Sequence, residues 1–217
     1  MRRQDTLSEE RHVQVVEALS KWSRRGEVME ANRPYQDRMW SGRRLPSLHL
    51  EDVTDIPFVS TIPGVELYQH RARVRAFDGD LFAAVTLVSE GYEPYCQEFL
   101  GLQAPGLVVA EPTSKGPMAV TQACMGGSAL DQISSWASQH GEVALHPYMS
   151  IEDVWTLASR LKLSTTATIE VIGPPPAALW VANDKAALSE IVSLVLGDEW
   201  LVDTQTAHSP EAIAQWL

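Results

Sequence analysis

Two short apolar runs, Leu107–Ala110 and Val143–His146, lie between helical patterns in the middle of the chain. Continuous apolar runs of this length are typical of strands that are buried on both faces of a parallel sheet. Apolar residues at helical spacing predict helices over Ser128–Gln139 and Ile151–Leu161. The alternation predicts an α/β fold with a mainly parallel three-layer sheet and right-handed crossovers. We expect the two runs to be neighbouring strands of that sheet.

The segment before these runs predicts a β-hairpin. Val65–Phe77 and Leu81–Val88 are apolar or alternating, and the Asp-Gly-Asp between them is a strong signal for a tight turn. In a strand, Arg71, Arg73 and Arg75 would project from one face. That face is either solvated or available to bind carboxylates, and the pattern leaves both alternatives open.

Residues 1–63 are predicted to form an N-terminal extension. The stretch from Ser8 to Ala31 predicts an amphipathic helix, with a Ser8 cap and with Val13, Val16, Leu19 and Trp22 at roughly helical spacing. Asn32–Pro63 contains four prolines and predicts an irregular or short-strand connection of basic character. The α/β domain is therefore expected over residues 64–217.

The segment between Gly173 and Lys185 suggests a binding site. Three consecutive prolines, Pro174–Pro176, fix φ and hold a loop extended. Asn183 or Asp184 can then cap a helix that runs to Gly197. Lys185 lies in the first turn of that helix, where the dipole disfavours a cation but attracts phosphate. The lysine either completes an anion site or is an ordinary solvated surface lysine.

Other candidate sites are weaker. Gly126-Gly-Ser128 precedes a helix, where it either offers backbone N–H groups to an anion or forms a glycine turn with a serine cap. The six histidines are scattered without a triad motif, and Cys96 and Cys124 lack the spacing of a zinc site. The sequence therefore predicts no catalytic residue, no metal site and two buried free thiols.

Composition and charge narrow the range of partners. The 217-residue chain is 45% hydrophobic, which is enough for one substantial core. Residues 1–50 carry a net charge of +3 and residues 51–217 a net charge of −14. An acidic body repels phosphate backbones, so we expect no nucleic-acid partner. Without a secretory signal or an apolar run of membrane-spanning length, we expect a soluble cytoplasmic protein with no membrane partner.

Several short motifs are spread over roughly residues 65–217. They are Arg71-Ala-Arg-Val-Arg75, Gly79-Asp-Leu81, Tyr92-Glu-Pro-Tyr95, Glu98-Phe-Leu-Gly-Leu102, His146-Pro-Tyr, the Ile151–Leu163 segment, Asn183-Asp-Lys185 and Trp200–Thr206. Together these motifs resemble those of ATP-grasp ligases of the carboxylate-amine and peptide-ligase type. The resemblance implies a Rossmann-like pre-ATP-grasp domain in which Asn183, Asp184 and Lys185 lie on the nucleotide side, with Lys185 contacting phosphate.

The sequence departs from the family beyond this region. The ATP-clamping part of such ligases, with its phosphate-gripping lysine, glycine-rich flap and magnesium carboxylates, has no counterpart before Leu217. The resemblance therefore implies the N-terminal substrate- or nucleotide-side domain, or a split subunit, of an ATP-grasp ligase that is not catalytic alone. ATP and Mg²⁺ are expected only with an ATP-grasp core as partner. The alternative is a non-catalytic α/β protein-interaction module that binds an acidic partner or forms a homo-oligomer.

Overall fold

The computed structural model describes residues 44–56, 58–202, 207 and 209–214, together with Val13 and Glu17. The chain divides into two compact units, residues 36–176 and residues 1–35 with 177–217. The helix predicted from Ser8 to Ala31 lies outside the described residues, except that Val13 and Glu17 are helical. The larger unit holds the sheet.

Five parallel strands form this sheet. They are β1 Ser47–Leu50, β2 Leu81–Ala84, β3 Gly106–Val109, β4 Glu142–Pro147 and β5 Thr168–Val171. Their order across the sheet is β3-β2-β1-β4-β5. The central strand β1 pairs Leu48 with Leu81 of β2 and with Leu145 of β4. The predicted α/β fold with a parallel sheet is confirmed.

Two details of the predicted sheet need correction. The runs Leu107–Ala110 and Val143–His146 form β3 and β4 of one sheet, but they are not neighbours, because β2 and β1 lie between them. β1 itself lies within Asn32–Pro63, where the sequence predicts an irregular or short-strand connection but not the central strand of the sheet. Its Ser-Leu-His-Leu sequence contains no continuous apolar run. The backbone N–H of Ser47 and Nε2 of His49 both pair with the carboxylate of Asp80, which lies 33 and 31 residues further along the chain.

The predicted hairpin is wrong, because Val65–Arg75 is a 3₁₀ helix and not a strand. It follows Gly64, whose φ of 79° lies in the left-handed region that favours glycine. Ala72 and Ala76 pack on Phe82 of β2, so this long 3₁₀ helix covers one face of the sheet. Its buried residues follow a helical and not an alternating spacing: Val65, Gln69, His70, Ala72 and Arg73.

Helices connect the remaining strands. They are α1 Tyr92–Pro94, which continues as a π-helical turn over Tyr95–Phe99, then α2 Val120–Ala123, α3 Gly127–His140 and α4 Glu152–Ser164. The predicted helices over Ser128–Gln139 and Ile151–Leu161 are confirmed as α3 and α4. Helix α3 ends at Gly141, whose φ of 72° suits a glycine stop. Helices α3 and α4 pack against β3, β4 and β5.

Three further helices follow β5: α5 Pro176–Asn183, α6 Lys185–Leu196 and α7 Pro210–Ala214. The extended proline loop is shorter than predicted, because Pro176 is already the first residue of α5, a position that proline fits well. Helix α6 begins after an Asp184 cap, as the sequence predicts. None of the helices in the described part of the chain is long and apolar enough to cross a lipid bilayer.

Candidate functional site

A cleft of about 420 Å³ lies between the segment that follows β3 and the start of α3. Its lining includes Glu111, Thr113, Gln122, Gly126-Gly-Ser128 and Arg160. The glycine pair that the sequence marks as a weak anion-site candidate is therefore part of the wall of a cleft. The side chain of Thr113 donates a hydrogen bond to Gln122 Oε1 at 2.8 Å, which holds the opposite wall in place.

The start of α3 has backbone donors without an intrahelical acceptor. Leu130 is the first residue of the helix whose N–H group donates to a carbonyl oxygen four residues earlier, that of Gly126, at 3.3 Å. The N–H groups before Leu130 form the first turn and have no acceptor within the helix. The N-cap is Gly126 and not Ser128, and it has no side chain to cap these donors. Gly127 has a φ of 60°, which a residue with a side chain rarely adopts. The helix start is therefore suited to bind an anion in the cleft.

Arg160 of α4 adds a positive charge to the same cleft. Its Nη1 donates a hydrogen bond to the backbone oxygen of Met125 at 2.8 Å, just before the glycine pair. Arg160 is an exposed residue, and Nη1 is the donor used in this bond. Glu111 supplies a carboxylate to the lining. The cleft can thus bind the anionic part of a ligand through α3 and Arg160, and accept a hydrogen bond from an N–H or O–H group through Glu111.

The residues predicted to lie on the nucleotide side, Asn183, Asp184 and Lys185, belong to the smaller unit. Lys185 is the exposed first residue of α6. Asp184 Oδ1 accepts hydrogen bonds from the N–H groups of Ala186 at 2.9 Å and Ala187 at 3.1 Å, so its carboxylate occupies donors that a phosphate would use. Asn183 Nδ2 donates to Leu179 O at 2.9 Å. A nucleotide role for these residues stays a prediction.

The three arginines of the long 3₁₀ helix bind carboxylates of the protein itself. Arg73 is fully buried and binds Glu93. Arg71 and Arg75 both bind the buried Glu51. Of the two alternatives that the sequence leaves open, carboxylate binding is therefore the one observed, and the partners are internal.

His49 and His146 form a ring pair on adjacent central strands, with centroids 4.8 Å apart. His49 Nε2 lies 3.3 Å from Asp80 Oδ2, and its Nδ1 is buried without a hydrogen-bond partner among the described residues. Burial, with the neighbouring His146, lowers the pKa of His49 to about 4. Burial, with the Arg75 guanidinium, lowers the pKa of His146. His49 is therefore neutral at neutral pH.

We expect His49 to make the fold sensitive to mild acid. Its pKa is lower in the folded chain than in the unfolded chain, so the unfolded state binds more protons and folding free energy is lost as the pH falls from 6.5 to about 4. The expected loss is on the order of 3 kcal/mol. Urea unfolding across this range should show a smaller loss in His49→Gln, with His146 still contributing in the same direction. An equal pH dependence in both proteins would contradict the assignment.

Neither the cysteines nor the acidic residues form a reactive or metal-binding cluster in the part of the chain that the structure describes. Cys96 and Cys124 are free and buried, as predicted. Burial raises the pKa of Cys124 to about 12, so it is a thiol and not a thiolate at neutral pH. Within the described ranges, no group of three or more His, Cys, Asp and Glu side chains is placed to hold a metal ion.

The central region of the chain matches a known protein family. Residues 69–163 match the family model of the pre-ATP-grasp domain. Over this range the chain is similar to a pre-ATP-grasp domain. No curated protein and no solved structure matched the chain in these comparisons.

The matched range includes the whole lining of the cleft. It ends before Asn183–Lys185, and β1 and β5 lie outside it. Arg160 and Glu111 are cleft residues that the sequence did not reveal. Arg160 lies 35 residues from Met125, and no local motif links the two. The sequence indicates only that Arg160 lies on the exposed side of α4, through the helical spacing of its residues.

Proposed function

We propose that this chain is the pre-ATP-grasp part of an ATP-grasp carboxylate-amine ligase, and that the cleft at the start of α3 binds an anionic group of its substrate or nucleotide. The observation that carries the proposal is that the cleft lies entirely within the range that matches the family. Ligases of this kind activate a carboxylate as an acyl phosphate, which an amine then attacks. A carboxylate and a phosphate share the acceptor oxygens that the cleft is suited to bind.

The residues of the cleft have separate tasks in this proposal. The first-turn N–H groups of α3 and the guanidinium of Arg160 bind the anionic oxygens. Glu111 accepts a hydrogen bond from the rest of the ligand and orients it. ATP with Mg²⁺ supplies the transferred phosphoryl group when bound. The described residues fit the anion but offer no cluster for the metal ion, so we propose an ATP-grasp core, in another domain or subunit, as the partner that completes the site. The chain is not catalytic alone.

Replacing Arg160 with alanine should weaken anion binding without unfolding the chain. The variant loses a charge-assisted hydrogen bond at an exposed site, which is worth about 1.5 to 3 kcal/mol or roughly a ten- to hundredfold loss of affinity. Calorimetric titration with inorganic phosphate, acetate and Mg²⁺-ATP measures the change. The ligand whose affinity falls most identifies which anion the cleft prefers.

Two variants on the same helix serve as controls. Lys162→Ala removes an exposed cation two residues away that does not line the cleft, so it should leave the affinities unchanged. Arg160→Lys keeps the charge but loses the planar fork, so it should fall between the wild type and the alanine variant. Equal affinities in Arg160→Ala and Lys162→Ala would refute the assignment of the cleft.

One observation supports the alternative of a protein-interaction module. Helix α6 and the segment that follows it expose large apolar side chains, including Leu188, Leu194, Trp200 and Val202. Exposed apolar surface of this kind marks interaction sites when it is contiguous. An ATP-grasp core and a second copy of the chain are both candidate partners. Light scattering over a range of protein concentrations distinguishes a self-associating chain from one that awaits a different subunit.

A further inference from the structure

A second group of polar side chains lies away from the cleft, where the central strands end. The strand order places β1 beside β4, while the next strand after β1 lies on its other side. In open parallel sheets, the crevice at such a reversal of strand order is where ligands bind. The carboxyl ends of the two strands are held together by the N–H of Tyr148, which donates to Leu50 O at 2.7 Å.

Glu51 is the first residue after β1, and it joins two arginines of the long 3₁₀ helix. Its Oε1 lies 2.5 Å from Arg71 Nη2, and its Oε2 lies 2.6 Å from Arg75 Nη2. The Glu51 side chain is only 3% exposed. Two guanidinium groups therefore share one buried carboxylate. Each guanidinium has five N–H donors, and Glu51 uses only part of them.

The arginines are accessible and oriented. The Arg71 side chain is 46% exposed and that of Arg75 is 32% exposed. The guanidinium carbon of Arg71 lies 4.2 Å from the ring centroid of Tyr68 and 5.3 Å from that of Tyr148. Contacts with aromatic faces restrict a guanidinium without using its N–H donors. A guanidinium held in this way loses little conformational entropy when a ligand binds.

We propose that Arg71 and Arg75, held on Glu51, bind a carboxylate or phosphate group in the crevice between the carboxyl ends of β1 and β4. The site is distinct from the cleft at the start of α3 and does not depend on it. Arg71 supplies the more exposed N–H donors, and the less exposed Arg75 adds a second positive charge. Tyr148 lies at the edge of the site, beside Arg71. An anion there binds the guanidinium N–H donors that Glu51 does not use.

Titration of the full chain with inorganic phosphate and with acetate tests the site. The signals to follow are the arginine Nε–H resonances of Arg71 and Arg75 and the backbone amide of Tyr148 in isotope-labelled protein. Arg71→Ala leaves the pair between Arg75 and Glu51 in place, so the fold should persist. We expect saturable shifts in the wild type and at least about a tenfold weaker affinity in Arg71→Ala. Arg71→Lys should lose less, because it retains the charge.

The two ligands and two control variants separate the outcomes. Tighter binding of phosphate assigns a phosphoryl ligand, and tighter binding of acetate assigns a carboxylate. Arg160→Ala should leave the Arg71 and Tyr148 shifts unchanged, because it acts on the other cleft, and Lys162→Ala should do the same. The absence of saturable shifts in the wild type, or an unchanged affinity in Arg71→Ala, overturns the proposal while leaving the function proposed for the α3 cleft untouched.

Discussion

Asp80→Ala should lower the free energy of unfolding by about 3 to 5 kcal/mol. Asp80 lies just before β2, and its side chain is 2% exposed. It accepts hydrogen bonds from the backbone N–H groups of Ser47 and Phe77, each at 2.9 Å, and from Arg44 Nη2 at 2.6 Å. Alanine leaves the N–H of Ser47 buried without an acceptor at the start of the central strand. The carboxylate thus fixes β1 beside β2.

The effect of Asp80 is measured by urea unfolding at neutral pH. Asp131→Ala is a suitable control because Asp131 is an exposed residue on α3, and such changes usually alter stability by less than about 0.5 kcal/mol. Asp80→Asn should lie between the two, since one carboxyl oxygen is retained and the charge is lost. If Asp80→Ala were no less stable than Asp131→Ala, the hydrogen bonds around Asp80 would not be what holds β1 in the sheet.

Arg73→Ala should cost a similar amount, about 3 to 5 kcal/mol. The Arg73 side chain is fully buried. Its Nε and Nη2 each donate to Glu93 at 2.6 Å, and Nη2 also donates to Gln103 O at 2.7 Å. These bonds tie the long 3₁₀ helix to α1 and to the segment before β3. Alanine removes the bonds and the packing of a long side chain together.

Arg73→Met separates those two contributions. Methionine restores most of the buried volume, and Glu93, which is 37% exposed, can turn to water. We expect a loss of less than about 2 kcal/mol for this variant. The hydrogen bonds from Arg73 hold the pKa of Glu93 below its ordinary value. Their stabilisation is therefore present above the ordinary pKa of a glutamate and is lost as the pH falls through the lowered value. Arg73→Met should lack this acid-dependent loss, and an equal loss in the wild type and in Arg73→Met would contradict the assignment.

The elements that the sequence predicted correctly are those determined by residues close together in the chain. Helices α3 and α4 follow from the spacing of their apolar residues, and α6 follows from its Asp184 cap and Gly197 stop. The strands β3 and β4 contain the apolar runs that buried strands require. These features need no information about distant residues.

The errors arise where distant residues decide the structure. The central position of β1 was not predicted, because Ser47 and His49 look unsuited to a central strand until Asp80 and His146 are placed beside them. Val65–Arg75 alternates arginines with other residues and so predicts a strand, yet its arginines meet Glu51 and Glu93 only in a helical conformation.

The candidate sites were predictable to different extents. The glycine pair at Gly126 is visible in the sequence, because an uncapped helix start has a local signature. Arg160 and Glu111 come together with it only through the packing of α4 and the segment after β3. For Lys185 the sequence supplied the helix start, but the carboxylate of Asp184 occupies the donors there. Its contact with a nucleotide therefore rests on the resemblance alone.

The most direct test of the proposed function is a map of backbone amide shifts as Mg²⁺-ATP is added to the isotope-labelled full chain. If the pre-ATP-grasp domain presents its cleft to an anionic group, the amides of Gly127, Ser128 and Ala129 should shift together and saturate at millimolar ligand, and Arg160→Ala should shift the same amides at higher concentration. Stationary amides at the start of α3, with saturable shifts at Ala186 and Ala187 instead, would contradict the account and assign the nucleotide to Lys185.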